Sequence, residues 1–203
     1  MNKITIHKME QRSPEWDAIR VGKVGGSEGV GLTTDARMKT LIWKKLAELQ
    51  TGKQEENYVS ADMQHGIDTE PIAIAEYEKQ FFVEVKKDNY ITNIDFKYLG
   101  LSPDGLVGDD GAIEVKCPKA KQHCMAIAEN KIPTENRPQI TEYFLVHNIL
   151  EWVDFVSYCA DVKKKPMFVY RCHRKDFEKE IATMKVNYIK YKTKLEEYMK
   201  AFE

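Results

Sequence analysis

Three side chains with chemistry to offer stand close together in "SPDGLVGDDGAIEVKCP", residues 102–118: Asp104, Glu114 and Lys116. Alternation along a strand puts Glu114 and Lys116 on one face and turns Val115 the other way, into the core. A carboxylate and an ammonium are thereby presented side by side. Magnesium takes carboxylate oxygens and keeps several waters, so two acids suffice to hold one ion against a substrate phosphate. Such an ion eases the ionisation of water and screens charge in the transition state. The lysine can orient that water or neutralise the developing charge. These residue types in this order point to metal-assisted hydrolysis of a phosphate ester.

Glu-x-Lys alone carries little weight, since Glu84-Val85-Lys86 repeats the tripeptide and Asp161-Val162-Lys163 nearly does. What distinguishes Glu114 is the Ser-Pro-Asp-Gly upstream, joined to it through Gly108-Asp109-Asp110-Gly111. Register then makes a demand. A strict two-residue loop at Asp109-Asp110 sets Asp104 opposite Val115, facing away from the site. A three-residue loop, or a bulge at Gly108 or Gly111, brings Asp104 opposite Glu114 or Lys116 instead, and that irregularity is expected. An EF-hand reading fails because Leu106 and Gly108 occupy the third and fifth positions from Asp104. Taken without its neighbours, the stretch also admits a purely structural hairpin.

The elements that must position these residues follow from the rest of the chain. Its 203 residues, 42% hydrophobic and 31% charged, suit one globular domain spanning 1–203. No segment reaches the roughly 18 apolar residues of a membrane span, and the N-terminal stretch lacks an apolar signal core, so the expected place is the cytoplasm. Cys117, Cys124, Cys159 and Cys172 form no Cys-x-x-Cys pair and are expected reduced and mostly buried. His123-Cys124 and Cys172-His173 are adjacent pairs, a spacing that does not suit zinc. A net charge of -1 does not announce a nucleic-acid partner, which leaves "VKKKP" (162–166) and the C-terminal lysines as local basic candidates.

Helices are expected from Ser13-Pro14 to Arg20, from Asp35 to about Gln50 behind Thr34, over 60–65, and again from Asp68 or Thr69 with Pro71 in the first turn. The period changes to two in "FFVEVK", "YITNI", "KYLGLS" and the 105–116 hairpin, and again in "EWVDFVSYCA" and "MFVYRC". Helix is expected over 121–129, 137–150 and along a final stripe from Phe177 to Phe202, facing the core or a subunit contact. This order implies an α/β fold, a central mixed sheet flanked by helices on both faces.

The hairpin "SPDGLVGDDGAIEVKCP" resembles that of phage lambda exonuclease and the YqaJ-type viral recombination nucleases, a branch of the PD-(D/E)xK superfamily. In the same order, "EWDAIRVGKVGGSE" is similar to the family's Trp, Arg and small-residue run ending in Ser. "HGIDTEPIAIAEYE" resembles its Gly-x-x-x-Glu helix, and "HCMAIAENKIPTENRPQI" the stretch that carries a Gln after the lysine. The run here is Gly25-Gly26-Ser27, and Thr141 stands where the family often has a second Gln.

The resemblance implies a restriction-endonuclease-like core with magnesium, or manganese in its place, on Asp104, Glu114 and the Val115 carbonyl. Lys116 becomes the catalytic lysine, Glu70 a further acid near the metals, direct or through water, and Gln139 a holder of the nucleophile or a phosphate. Arg20, Ser27 and Ser102 become ligands of DNA phosphates, the 5′-terminal one included. It further implies 5′→3′ digestion of one strand of duplex DNA, a toroidal homotrimer, and a single-strand annealing partner in phage-type recombination. Two alternatives stay open: a repair nuclease of the same fold with other polarity or substrate, and a non-catalytic DNA-end-binding protein.

Overall fold

The computed structural model describes residues 3–54, 60–87 and 89–203. Ser13 caps α1 (Pro14–Arg20) through a bond from the Trp16 amide to its Oγ, and proline occupies the first turn, where no amide is needed. Thr34 caps α2 (Asp35–Thr51), which Gly52 stops at a φ of +69°. Between these helices the small-residue run forms a 3-10 segment, Gly26–Leu32.

The break expected near Gly66 is absent. Helix α3 runs unbroken from Ala61 to Phe81 behind a Ser60 cap, with Pro71 inside it. Gly66 and Pro71 cost about 1 and 3 kcal/mol in an isolated helix, but the buried faces of Ala73, Ile74 and Tyr77 lie against the sheet. That packing sets the helix's extent, and it shortens the strand expected over 81–86 to β2 (Val85–Lys86).

A strand that the sequence reading did not contain, β1 (Ile4–Lys8), pairs antiparallel with β3 (Asn89–Asn93) in a separate two-stranded sheet. "KYLGLS" is not a strand either. It contributes only bridges from Leu99 to Val24 and from Leu101 to Ile91, because it passes between two partners instead of along one.

The central sheet has the order β2-β4-β5-β6-β7, with β4 (Gly105–Val107), β5 (Gly111–Lys116), β6 (Trp152–Tyr158) and β7 (Met167–His173). Strands β5 and β6 run parallel and the other pairs antiparallel, so the sheet is mixed. The remaining helices are α4 (Ala120–Glu129), α5 (Arg137–Val146) and α6 (Glu178–Met199). α5 ends before the expected Leu150, where Arg174 donates to the carbonyls of Phe144, His147 and Leu150 and satisfies groups a longer helix would have used.

One sheet face, with Ala112, Val153 and Phe155, packs against α2, α5 and α6; the other, with Ile113, Val115 and Val156, packs against α3. The α6 stripe is core-facing: Met184, Tyr188, Tyr191 and Leu195 are buried, and only its end, Phe202, is exposed. All four cysteines are free thiols, but burial holds for Cys159 and Cys172 only; Cys124 lies on the exposed side of α4 and Cys117 is half-buried at a cleft. No helix among the described residues is long and apolar enough to cross a membrane.

Candidate active site

The register of the β4–β5 hairpin decides what the acids can do. Gly105 pairs with Ile113, Leu106 with Ala112 and Val107 with Gly111, which leaves a three-residue loop, Gly108 to Asp110. Gly108 supplies the left-handed backbone this turn needs, at a φ of +61°. One step past Gly105 the same register sets Asp104 opposite Glu114, on the strand pair's open end. An Asp104 carboxylate oxygen accepts the Val115 amide at 2.6 Å, which fixes the acid against the strand that carries Glu114 and Lys116.

Glu114 is 1% exposed. One of its oxygens accepts the Tyr143 hydroxyl at 2.7 Å, and the other pairs with the Lys116 ammonium. The Tyr143 oxygen also accepts the Asp104 amide, at 3.3 Å. A single buried phenol from α5 thus ties together both hairpin strands where their acids meet. Burial, then the charges of Glu114 and Glu70, pushes Asp104 well above the usual carboxylate range. Burial and Glu114 likewise push Glu70 up. Burial works to lower Lys116, but Glu114 and Asp104 outweigh it and raise the ammonium, which holds its proton.

These crowded acids fit a divalent cation. Asp104 and Glu114 supply two carboxylates, and the buried Val115, next to Glu114 in the strand, also lines the adjoining cleft. Among the described residues no three His, Cys, Asp or Glu side chains converge as a ligand group. Glu70 lines the adjoining cleft, and its charge is felt by Asp104 and Lys116.

The cleft beside the acids has a volume of about 1250 Å³ and crosses the C-terminal ends of β5 and β6, between α1, α3 and α4. Arg20 lines it, with its guanidinium 3.7 Å above the Trp16 ring and a bond to Gln54. Ser102 sits behind, its Oγ accepting from both Trp16 Nε1 and Gln11; its own proton is what it has left to offer a ligand. Gln139 is half-buried on α5 with its amide nitrogen beside Gly26. Ser27 is exposed on the 3-10 segment and does not line the cleft.

Three further residues, absent from the motifs, belong to this environment. Tyr143 follows Gln139 by one helical turn, so both share a face, and that spacing was the available signal. Arg12 lines the cleft at a φ of +66°, with its charge felt by Glu70; no sequence signal marks it. Glu142 is fully buried with neither oxygen hydrogen-bonded, and a Cβ on Gly29 would fall 2.5 Å from it. Burial, then the charge of Glu28, holds it well above the usual carboxylate range.

The YqaJ-like viral recombinase domain profile matches residues 15–149. No curated protein matches the chain. Among solved structures, an alkaline exonuclease from Laribacter hongkongensis, LHK-Exo, is 32% identical with a TM-score of 0.83, over 93% of this chain and 97% of that one. LHK-Exo in complex with dAMP matches at 31% identity and a TM-score of 0.85, over 94% and 96% of the two chains.

Proposed function

Because the chain belongs to the YqaJ-like viral recombinase family and is a nuclease of the lambda exonuclease type, we propose that it is a magnesium-dependent 5′→3′ exonuclease on double-stranded DNA. In this reading it leaves a 3′ single strand for an annealing protein in phage-type recombination. The observation that carries it is the three-residue turn that sets Asp104 against Glu114, with Lys116 paired to Glu114. A relative captured with dAMP fits a site that accepts a deoxynucleoside monophosphate.

Asp104, Glu114 and the Val115 carbonyl would hold magnesium, or manganese in its place, and Glu70 would act on it directly or through water. The chemistry supplied by the ion when bound is charge neutralisation at the scissile phosphate and easier ionisation of water. Lys116, charged and aimed from the same strand face, holds the attacking water or meets the charge that develops on the phosphate oxygens. Gln139 steadies the nucleophile or a phosphate, and Arg20 and Ser102 receive DNA phosphates, the 5′-terminal one foremost; Ser27, exposed outside the cleft, would meet the strand only beyond the cleft wall. Processivity would come from a toroidal trimer encircling the duplex.

The test is digestion of linear duplex labelled separately at its 5′ and 3′ ends, with magnesium, comparing the native protein with Lys116→Ala. Early release of 5′ label, reduced at least a thousandfold in a variant that binds DNA within about threefold of native, is the expected result. Early 3′ label would reverse the polarity. No release by the native protein from linear or nicked DNA would leave a DNA-end-binding protein.

A further inference from the structure

The run Val162 to Pro166 forms the β6–β7 turn, and its three lysines have no part in the site above. Because β5 and β6 are parallel, both end at the cleft, and Lys116 lies beside Ser157 in the paired register. Ser157 lines the cleft with Lys116. The turn begins five residues further on, at Val162, which is at most about 17 Å of chain, or roughly five base pairs along a duplex.

Its direction is fixed by His123 of α4, a residue with no exposed surface. One ring nitrogen of His123 bonds the Ser157 hydroxyl and the other the Lys165 carbonyl, both at 2.8 Å. A further bond from the Cys159 amide to the Pro166 carbonyl closes the turn's base. The turn is thereby bound to the helix whose N-cap, Lys119, and first-turn Gln122 line the same cleft. Lys163, Lys164 and Lys165 are all exposed, and among the described residues none of them forms an ion pair. Three adjacent cations thus stand on a held turn whose Lys165 carbonyl is one imidazole ring away from Ser157, a residue of the cleft wall, and the Lys165 ammonium lies 5.6 Å from the centre of the Phe168 ring.

We propose that the Lys163–Lys165 turn is a second phosphate-contacting surface, which grips the substrate's sugar-phosphate backbone a few nucleotides from the bond being cut. This rests on the reading of the cleft as a DNA site. Lysines there act as point charges that replace condensed counterions and carry no sequence information.

The experiment measures binding of a fluorescent 5′-phosphorylated duplex in EDTA across a range of sodium chloride concentrations. It compares the native protein, Lys163→Gln/Lys164→Gln/Lys165→Gln, and a charge-matched control, Lys179→Gln/Lys185→Gln/Lys190→Gln, on exposed α6 positions away from the cleft. The turn variant is expected to lower the slope of log affinity against log salt by about 2 to 3. Its cleavage rate at saturating DNA should stay within twofold of native, and the control should keep the native slope. An unchanged slope in the turn variant, or an equal fall in both variants, would overturn the proposal while leaving the nuclease reading intact. Failure of the native protein to bind duplex at all would overturn that underlying reading.

Discussion

Tyr143 shows how a residue can shape a site it does not announce. Its hydroxyl donates to Glu114 and accepts from the Asp104 backbone, so it acts through the acids and is a positioning residue. Tyr143→Phe keeps the ring's packing and removes the link. The expected outcome is a 10- to 100-fold loss in apparent magnesium affinity or turnover, the usual cost of losing an outer partner of a metal ligand, with the thermal midpoint little changed. Magnesium titrations of cleavage check this, and a native-like titration curve would assign Tyr143 to packing alone. At this scale the sequence showed the acids and the lysine because strand alternation and one turn bring them together locally. It could not show Tyr143, Arg12 or the stacking of Arg20 on Trp16, which depend on where distant elements land.

At the scale of elements, the helices and strands that bury a periodic face were legible, whereas those governed by neighbours were not. Gly66 and Pro71 read as a break until the sheet under Ala73, Ile74 and Tyr77 is present. β1 is five residues long and mostly unburied, and it exists because β3 offers it an edge. Where α5 meets the 3-10 segment, Glu142 lies against Gly29. Its raised pKa fixes the sign of a pH effect: the neutral carboxyl is tolerated, and stability is lost as pH rises through the folded-state value. Glu142→Gln has no charge to bury. It is therefore expected to flatten this loss and to be more stable than native above the transition by on the order of 1–3 kcal/mol. Thermal unfolding of both proteins over a pH series decides it; parallel curves would show that Glu142 finds a partner in solution.

Over the whole molecule, the mixed sheet covered on both faces was foreseeable from the order of elements, while the second sheet and the cleft's walls required the coordinates. At the sheet's open end, burial first and then the acids' charges on one another push both Asp104 and Glu70 upward. Saturating magnesium should therefore stabilise the entire fold, by about 2.7 kcal/mol at a hundred times its dissociation constant, or about 5–10 °C in midpoint for a chain of this size. EDTA should reverse the gain and Glu114→Gln should abolish it; a midpoint indifferent to magnesium would remove the metal from the acids. The three-residue turn at Gly108–Asp110 has its own consequence for how such a chain can diverge. Its composition is free to drift wherever glycine is not required, but its length behaves like a reading frame. A single-residue insertion or deletion there would leave a sheet that still folds while its two acids face opposite sides, so lineages that gained or lost one residue would fall silent as nucleases without falling apart.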